Sequence, residues 1–467
     1  MHEAISEAAL AALASAAGHG NATRDSDRLA PLLADWRGRY HGASPLLLLP
    51  RTTPQVVAIV RAAAALRVPL VPQGGNTGLV GGGTPPADGS AVLLSLSRLN
   101  AIRGVDPDGL TITVEAGVIL SAVHDAAAGI GACFPLSLAA KGSATVGGLV
   151  ATNAGGVQVL RHGTMRALVA GLEAVMPDGS LLDQLTGLAK DNTGYDIKQL
   201  LIGAEGTLGV VTAATLRLVP APPYRSVAWA GVESPAAAMA LLGRLRQASG
   251  GLVESFELIP DVALQLVLTR IDGQRAPLAG AHPWHVLVEL AGPAPLDDML
   301  AEALCAADAR DAVVAASAAQ AAALWGLREA IPLAERRAGP AVHHDIAVAV
   351  AALPVFTLAA TARVEAEFAG AKVIAFGHLG DGNLHFNVRP PVGADAVAWL
   401  APRRSAISAF VHKLVAEAGG SISAEHGIGQ LKRDDLARLG NPAKLAAMRA
   451  IKAALDPLGI MNPGKLF

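Results

Sequence analysis

Apolar residues recur with a helical period in some stretches of the chain and in short alternating or continuous runs in others, and the two kinds of stretch take turns. Residues 55–66 read as a helix, 68–72 as a short strand, and 91–96 and 110–115 as further strands. Ahead of them, residues 1–40 read as a helical lead-in broken by a Gly/Asn/Asp-rich stretch at 18–27. The apolar strand 209–218 runs into Val219-Pro220-Ala221-Pro222-Pro223, whose prolines mark a linker and the main domain boundary. Beyond it, strands 284–290, 312–314, 346–350 and 373–378 alternate with helices 295–307, 317–327 and 354–368, with Ser317 standing where an N-cap belongs. The chain is helical again from 403 to Gly419-Gly420 and over 445–455. This order predicts an α+β or α/β chain whose second half holds a smaller sheet with helices on one face, and no solenoid repeat.

Composition narrows the function. At 467 residues the chain exceeds one ordinary core, so roughly two or three domains are expected. A net charge of -2 and a pI near 6.7 give no polyanion-binding signature, so nucleic acid is not an expected partner. Only Cys133 and Cys305 are present, too few for a disulfide framework or a cysteine-based metal site, so a reducing compartment, the cytoplasm, is expected. The N-terminus Met1-His2-Glu3-Ala4-Ile5-Ser6-Glu7 is acidic and leads into an alanine-rich helix, unlike a secretory signal or a transit peptide. Mean hydropathy of +0.41 raises the question of a membrane span. The longest apolar run, 346–362, is broken by Pro354, carries Thr357 and Thr361, and falls short of the roughly 20 residues a span requires.

The densest chemistry lies in Gly377-His378-Leu379-Gly380-Asp381-Gly382-Asn383-Leu384-His385-Phe386-Asn387, read with Glu425-His426 further on. Gly377, Gly380 and Gly382 stand too close together for a long helix, so His378 and His385 are expected on a strand and its returning partner, joined by a tight turn. Two imidazoles, a carboxylate and a further imidazole offer three metal ligands plus one acid or base, the ligand number of a catalytic zinc site. A lone histidine is more often a hydrogen-bonded structural residue, and residue chemistry leaves both readings open.

A second kind of feature is glycine-rich. Pro72-Gln73-Gly74-Gly75-Asn76-Thr77-Gly78-Leu79-Val80-Gly81-Gly82-Gly83 follows a short apolar strand. Without side chains, backbone N–H groups can point into a concavity and hold phosphate oxygens, so the loop reads as a pyrophosphate cradle, with a purely structural turn as the alternative. It lacks the Gly-Lys-Ser/Thr ending of a P-loop and the acidic residue of a dinucleotide βαβ frame. Residues 141–156 and 202–210 add small residues and amides in the same half. A groove built from several such segments suits a large, flat, extended ligand, and a flavin dinucleotide better than a mononucleotide.

Taken in order, residues 73–83, 142–156, 203–209 and 377–387, Ala424-Glu425-His426-Gly427-Ile428-Gly429 and Asn462-Pro463-Gly464-Lys465 resemble the vanillyl-alcohol oxidase/p-cresol methylhydroxylase flavoproteins. Within these, the likeness is to the D-2-hydroxyglutarate and FAD-linked D-lactate dehydrogenases, and it runs from about residue 40 to the C-terminus. The resemblance implies an α+β fold with a lead-in over 1–40 and a p-cresol methylhydroxylase-type FAD-binding domain of two α+β subdomains over 41–220. A ferredoxin-like, antiparallel-sheet cap that binds substrate would cover 221–420, and a segment over 421–467 would return its helices to the FAD domain.

By the same resemblance, Gly74, Gly75, Asn76, Thr77 and Gly78 hold the pyrophosphate of a non-covalent FAD, flanked by Pro72 and Leu79. Gly142, Ser143, Thr145, Gly147, Gly148, Thr152, Asn153, Gly155 and Gly156 line the rest, with Glu205, Gly206, Gly209 and Val210, and Pro135, Asn383 and Asn462 also meet the cofactor. His378, His385 and Glu425 are the implied zinc ligands, a donor set that manganese, iron or cobalt also accepts. Arg328, His343, Asn387 and His426 are implied at the substrate, with Arg328 on its carboxylate and His426 as the base. The implied reaction oxidises a D-2-hydroxy acid, passes hydride from Cα to flavin N5, and hands electrons to a separate acceptor such as an electron-transfer flavoprotein or quinone. A homodimer without a transmembrane span is expected. Where hydroxyglutarate-specific relatives carry a threonine and a lysine, this chain has Pro332 and His343, so one fixed positive charge is lost and D-2-hydroxyglutarate and D-lactate both fit. Two other readings are an FAD-binding subunit of a glycolate-oxidase-type complex and a zinc hydrolase, the latter leaving the glycine clusters unexplained.

Overall fold

The computed structural model describes residues 4–306, 309 and 311–467. Met1 to Glu3 of the acidic N-terminus, and Ala307 at the predicted end of the helix 295–307, lie outside the described residues. The chain forms two compact units, one of Met1–Gly156, His162–Ala221 and Glu425–Phe467, the other of Val157–Arg161 and Pro222–Ala424.

Among the described residues the first unit holds a four-stranded sheet, a five-stranded sheet and one two-stranded pair. In the first of these, Ala22–Thr23 pairs antiparallel with Leu47–Leu48, which pairs parallel with Val92–Ser95, and that strand pairs parallel with Leu70–Gln73. The helix Thr53–Leu66 starts with Pro54 in its first turn, where a missing N–H costs nothing, and ends at Arg67 in the left-handed region. Val56, Ile59, Val60 and Ala63 recur at helical spacing and bury against Leu48, Leu70, Val92 and Leu94. Each large aliphatic side chain so buried is worth about 1.5–3 kcal/mol. The five-stranded sheet is antiparallel, in the order Ile102–Asp106, Thr111–Glu115, Val210–Arg217, Val169–Val175, Leu181–Gln184. Of the predicted linker, Val219–Pro220 is paired with Ala132–Cys133, and the segment His162–Ala221 of this unit ends within it.

The second unit is built on one antiparallel sheet of seven strands, labelled here β1 (Tyr224–Val232), β2 (Val253–Pro260), β3 (Trp284–Gly292), β4 (Ala312–Val314), β5 (Val342–Ala347), β6 (Lys372–His378) and β7 (Asn383–Arg389). Their order is β4-β1-β3-β2-β6-β7-β5. The first four, with helix Pro235–Ala248 after β1 and helix Asp297–Ala306 after β3, have the ferredoxin-like order 4-1-3-2, and the hairpin β6–β7 with β5 widens the sheet along β2. Ser317 caps the helix Ala318–Glu329 by accepting from Gln320 N, as the sequence predicts.

Helices cover both faces of this sheet, not one. Ala228, Phe256, Val286 and Phe386 face a core with helices Pro235–Ala248 and Leu353–Glu367, while Val227, Trp229, Leu287 and Phe376 face a second core with Leu264, Leu327 and Ile331. Strands buried on both sides read as continuous apolar runs, and such runs conceal the second helical layer.

Candidate functional site

In the first unit, strand Leu70–Gln73 delivers the chain into the glycine loop. A Cβ on Gly75 would lie 1.9 Å from Ser143 O, and one on Gly74 would lie 2.1 Å from Thr145 Oγ1, so the segment 142–156 presses directly on the loop. Elsewhere a Cβ on Gly206 would meet Pro72 at 2.6 Å, and one on Gly156 would meet Ser137 O at 2.1 Å, close to the buried Pro135. Gly147 N donates to Ala116 O at 2.7 Å, and Gly148 lies beside Thr145. The glycine segments predicted for the cofactor therefore converge within this unit.

Several polar side chains there shape backbone. Asn76 (φ 52°) donates from Nδ2 to Ala34 O, Asn153 (φ 49°) accepts Arg166 N, and Thr152 bonds Gly148 O. A cavity of about 420 Å³ opens beside Gly74, Gly75, Asn100, Gly117, Ser143 and Thr145. Thr145 Oγ1 and Gln73 Oε1 are buried without a hydrogen-bond partner among the described residues. The Thr145 hydroxyl, which can donate, stands beside a cradle that a single Cβ would fill, and that pairing fits a phosphate-bearing cofactor such as FAD.

Glu205 sits in the left-handed region (φ 52°), and its two carboxylate oxygens accept Ile428 N and Gly429 N, each at 2.7 Å. Burial raises its pKa while those amides pull it down. Asn462 donates from Nδ2 to Gly82 O and Glu205 O. Glu205 and Asn462 thus clasp the glycine loop, the 202–210 segment and the C-terminal segment. Gly209 leads into the buried strand that starts at Val210, and Glu425-His426 open the C-terminal segment just ahead of Gly427.

Lys465 is buried in the same clasp with Pro463 O as acceptor, and burial lowers its pKa from 10.5 to about 8. The unfolded chain then holds the extra proton between pH 8 and 10.5, so stability rises with pH across that window, by at most about 3–4 kcal/mol. We expect the thermal unfolding midpoint to climb from pH 8 to 10 in the native protein and to climb less in Lys465→Met. Equal slopes would remove Lys465 as the cause.

In the second unit, β6 and β7 form the predicted hairpin, and Gly382 takes φ 88° in its turn. The rings of His378 and His385 stand 5.7 Å apart at 75°. Two imidazoles sharing one tetrahedral ion, with Zn–N bonds of about 2.1 Å, place their centroids about 5 Å apart, so the pair fits a common metal. His385 also packs at 5.1 Å on Phe376, whose ring lies 4.9 Å from the Arg328 guanidinium.

Arg328 is only 7% exposed, yet among the described residues its one hydrogen bond runs from Nε to Glu257 at 2.7 Å. Its two Nη groups remain for another anion. Glu257 is fully buried and also accepts His378 Nδ1. Burial opposes its ionisation, but the adjacent Arg328 and His378 hold the carboxyl below the usual carboxylate range. Asp381, in the hairpin turn, is pushed up by burial. Asn387 donates to buried Glu335 at 2.6 Å and faces His343 across the β5–β7 ladder. Asn383 donates to Asp345 and Ile346 O within this unit. Pro332 is exposed in the first turn of helix Ile331–Arg337. Glu257 and Glu335 were not foreseen from sequence, because their partners lie 52 to 121 positions away.

Comparisons with known proteins give the family and the fold. Residues 44–184 match the family described as FAD binding domain, and residues 221–466 match FAD linked oxidases, C-terminal domain. The chain is 40% identical over 442 residues to D-2-hydroxyglutarate dehydrogenase of Xanthomonas citri pv. viticola, covering 93% of this chain and 91% of that protein. It is 37% identical over 453 residues to mitochondrial D-2-hydroxyglutarate dehydrogenase of Bos taurus, covering 96% and 81%. A crystal structure of p-cresol methylhydroxylase with substrate bound shares the fold, with a TM-score of 0.74 at 17% identity over 98% of this chain and 96% of that one. The chain belongs to the FAD-linked oxidase family and has the p-cresol methylhydroxylase-type α+β fold.

Proposed function

We propose that this protein is an FAD-dependent dehydrogenase that oxidises a D-2-hydroxy acid to the 2-oxo acid, with D-2-hydroxyglutarate and D-lactate as the substrates its site suits. In this reading His378, His385 and Glu425 hold a zinc ion, and electrons leave to a separate acceptor such as an electron-transfer flavoprotein or quinone. The observation that carries it is the buried Arg328 guanidinium, which keeps two uncommitted N–H edges near an imidazole pair on neighbouring strands. A buried cation with spare parallel donors is built for a carboxylate. The names borne by the relatives support the same substrate class.

Bound FAD supplies the hydride acceptor, and a bound divalent ion supplies polarisation of the α-hydroxyl. The chain's own residues do the rest. Arg328 anchors the substrate carboxylate, and Asn387, held by Glu335, orients the hydroxyl. His426 takes the hydroxyl proton. His343 replaces a fixed charge with an imidazole, which lowers the demand for a second carboxylate on the substrate. No helix among the described residues is long and apolar enough to cross a membrane. In this reading the enzyme is cytoplasmic, on the strength of its two cysteines, and a homodimer.

The test is an anaerobic screen of D-lactate, D-malate, D-2-hydroxyglutarate and glycolate, with and without chelator. We expect the flavin spectrum to bleach with one or more D-2-hydroxy acids, not with their L enantiomers, and more slowly after chelation. A flavin that stays oxidised across the panel would overturn the assignment.

A further inference from the structure

Glu257 has a place in none of the roles above, yet it touches two of them. It lies on β2 directly opposite His378 of β6 and is fully buried. One carboxylate oxygen accepts Nδ1–H of His378 and the other accepts Nε–H of Arg328 at 2.7 Å. A carboxylate offers only acceptors, so the His378 proton is held on Nδ1 and the lone pair is left on Nε2, the tautomer that ligates a metal through Nε2. For Arg328, the bond at Nε sets the plane of the guanidinium and leaves Nη1 and Nη2 for an incoming carboxylate, while the Phe376 ring lies 4.9 Å from its centre.

We propose that Glu257 is a positioning residue that couples ion binding to substrate-carboxylate binding, one buried carboxylate orienting both the metal-ligating imidazole and the anion-binding guanidinium. This rests on the function proposed above. The plainer alternative is a buried ion pair that only fastens the helix Ala318–Glu329 to the sheet. The two differ in what happens to a protein that still folds. The glutamine of Glu257→Gln has one acceptor oxygen and one NH2 group that can only donate. If its oxygen keeps Arg328, its amide N–H faces His378 Nδ1 and drives the imidazole proton to Nε2, which removes the metal-binding lone pair.

The experiment uses the flavin-loaded full chain, wild type and Glu257→Gln. Zinc affinity is read by competition with a chromophoric chelator. Pyruvate and 2-oxoglutarate affinities are read in metal-free protein, from the perturbation of the flavin spectrum. We expect zinc affinity to fall by about 10–100-fold, the usual cost of losing a partner of a ligating histidine. The 2-oxo acids should also bind more weakly, through loss of the charge that aligns Arg328. A flavin-loaded Glu257→Gln protein with a lower thermal midpoint but both affinities intact would overturn the proposal and leave only the ion pair.

Should Glu257→Gln not retain flavin, Glu257→Asp keeps the charge but is one methylene too short to reach both partners. It is expected to fold and to lose affinity for zinc, the 2-oxo acids or both. Unchanged affinities in that variant, or failure of both variants to load flavin, would also overturn the coupling. A wild-type chain that takes up neither zinc nor a 2-oxo acid would overturn the functional reading itself, and the coupling with it.

Discussion

Gly75→Ala is expected to purify without flavin. The added Cβ would stand 1.9 Å from Ser143 O, 2.9 Å from Ser143 C and 3.4 Å from Ala144 Cα. All three are backbone atoms, so no flexible side chain can swing aside, and the glycine loop and the segment facing it must separate. Overpacking of this kind costs about 1–3 kcal/mol in an ordinary core. Here the displaced amides are also those expected to hold the pyrophosphate, so the loss falls on cofactor affinity as well as on stability. Gly243→Ala is the matched control: it lies inside the helix Pro235–Ala248, and its Cβ would meet nothing within 4 Å. That change should keep a full flavin complement and gain about 0.5–1 kcal/mol. The ratio of flavin to protein absorbance reads both, and a full complement in Gly75→Ala would move the cradle elsewhere.

What the sequence disclosed was governed by range. The glycine loop, the β6–β7 hairpin and the Ser317 cap are set by neighbours a few residues apart, and each is found where local pattern places it. β5 was foreseen as 346–350 but spans Val342–Ala347, because His343, His344 and Asp345 interrupt the apolar pattern by which a strand is recognised. Its polar residues are tolerated because the ladder to β7 is complete and His344 Nδ1 bonds Phe386 O. β2 was hidden for a related reason. Glu254, Ser255 and Glu257 break the apolar pattern of the strand, and a buried acid is invisible until its distant cations are known. Glu205 was foreseen at the cofactor, but what it grips is the backbone of Ile428 and Gly429, a partnership across more than 220 positions that no local pattern announces.

His426→Ala and His385→Ala are expected to fail in different ways, and the difference tests the proposed division of labour. A positioned base contributes about 10²–10⁴ to a rate, so His426→Ala should keep FAD and zinc while anaerobic flavin reduction by the D-2-hydroxy acid slows by about that factor. His385→Ala removes one of two imidazoles 5.7 Å apart, leaving one imidazole and at most one carboxylate, too few to retain zinc at catalytic occupancy. That protein should keep FAD, lose metal, reduce as slowly as chelated wild type, and show no further response to chelator. Its fold should survive, since His385 is only partly buried and the void lies against Phe376. Metal analysis and rapid-mixing absorbance at the flavin band separate the two cases. If His385→Ala holds no metal yet reduces at the wild-type rate, the ion has no part in the chemistry, and Arg328 and His426 must account for it alone.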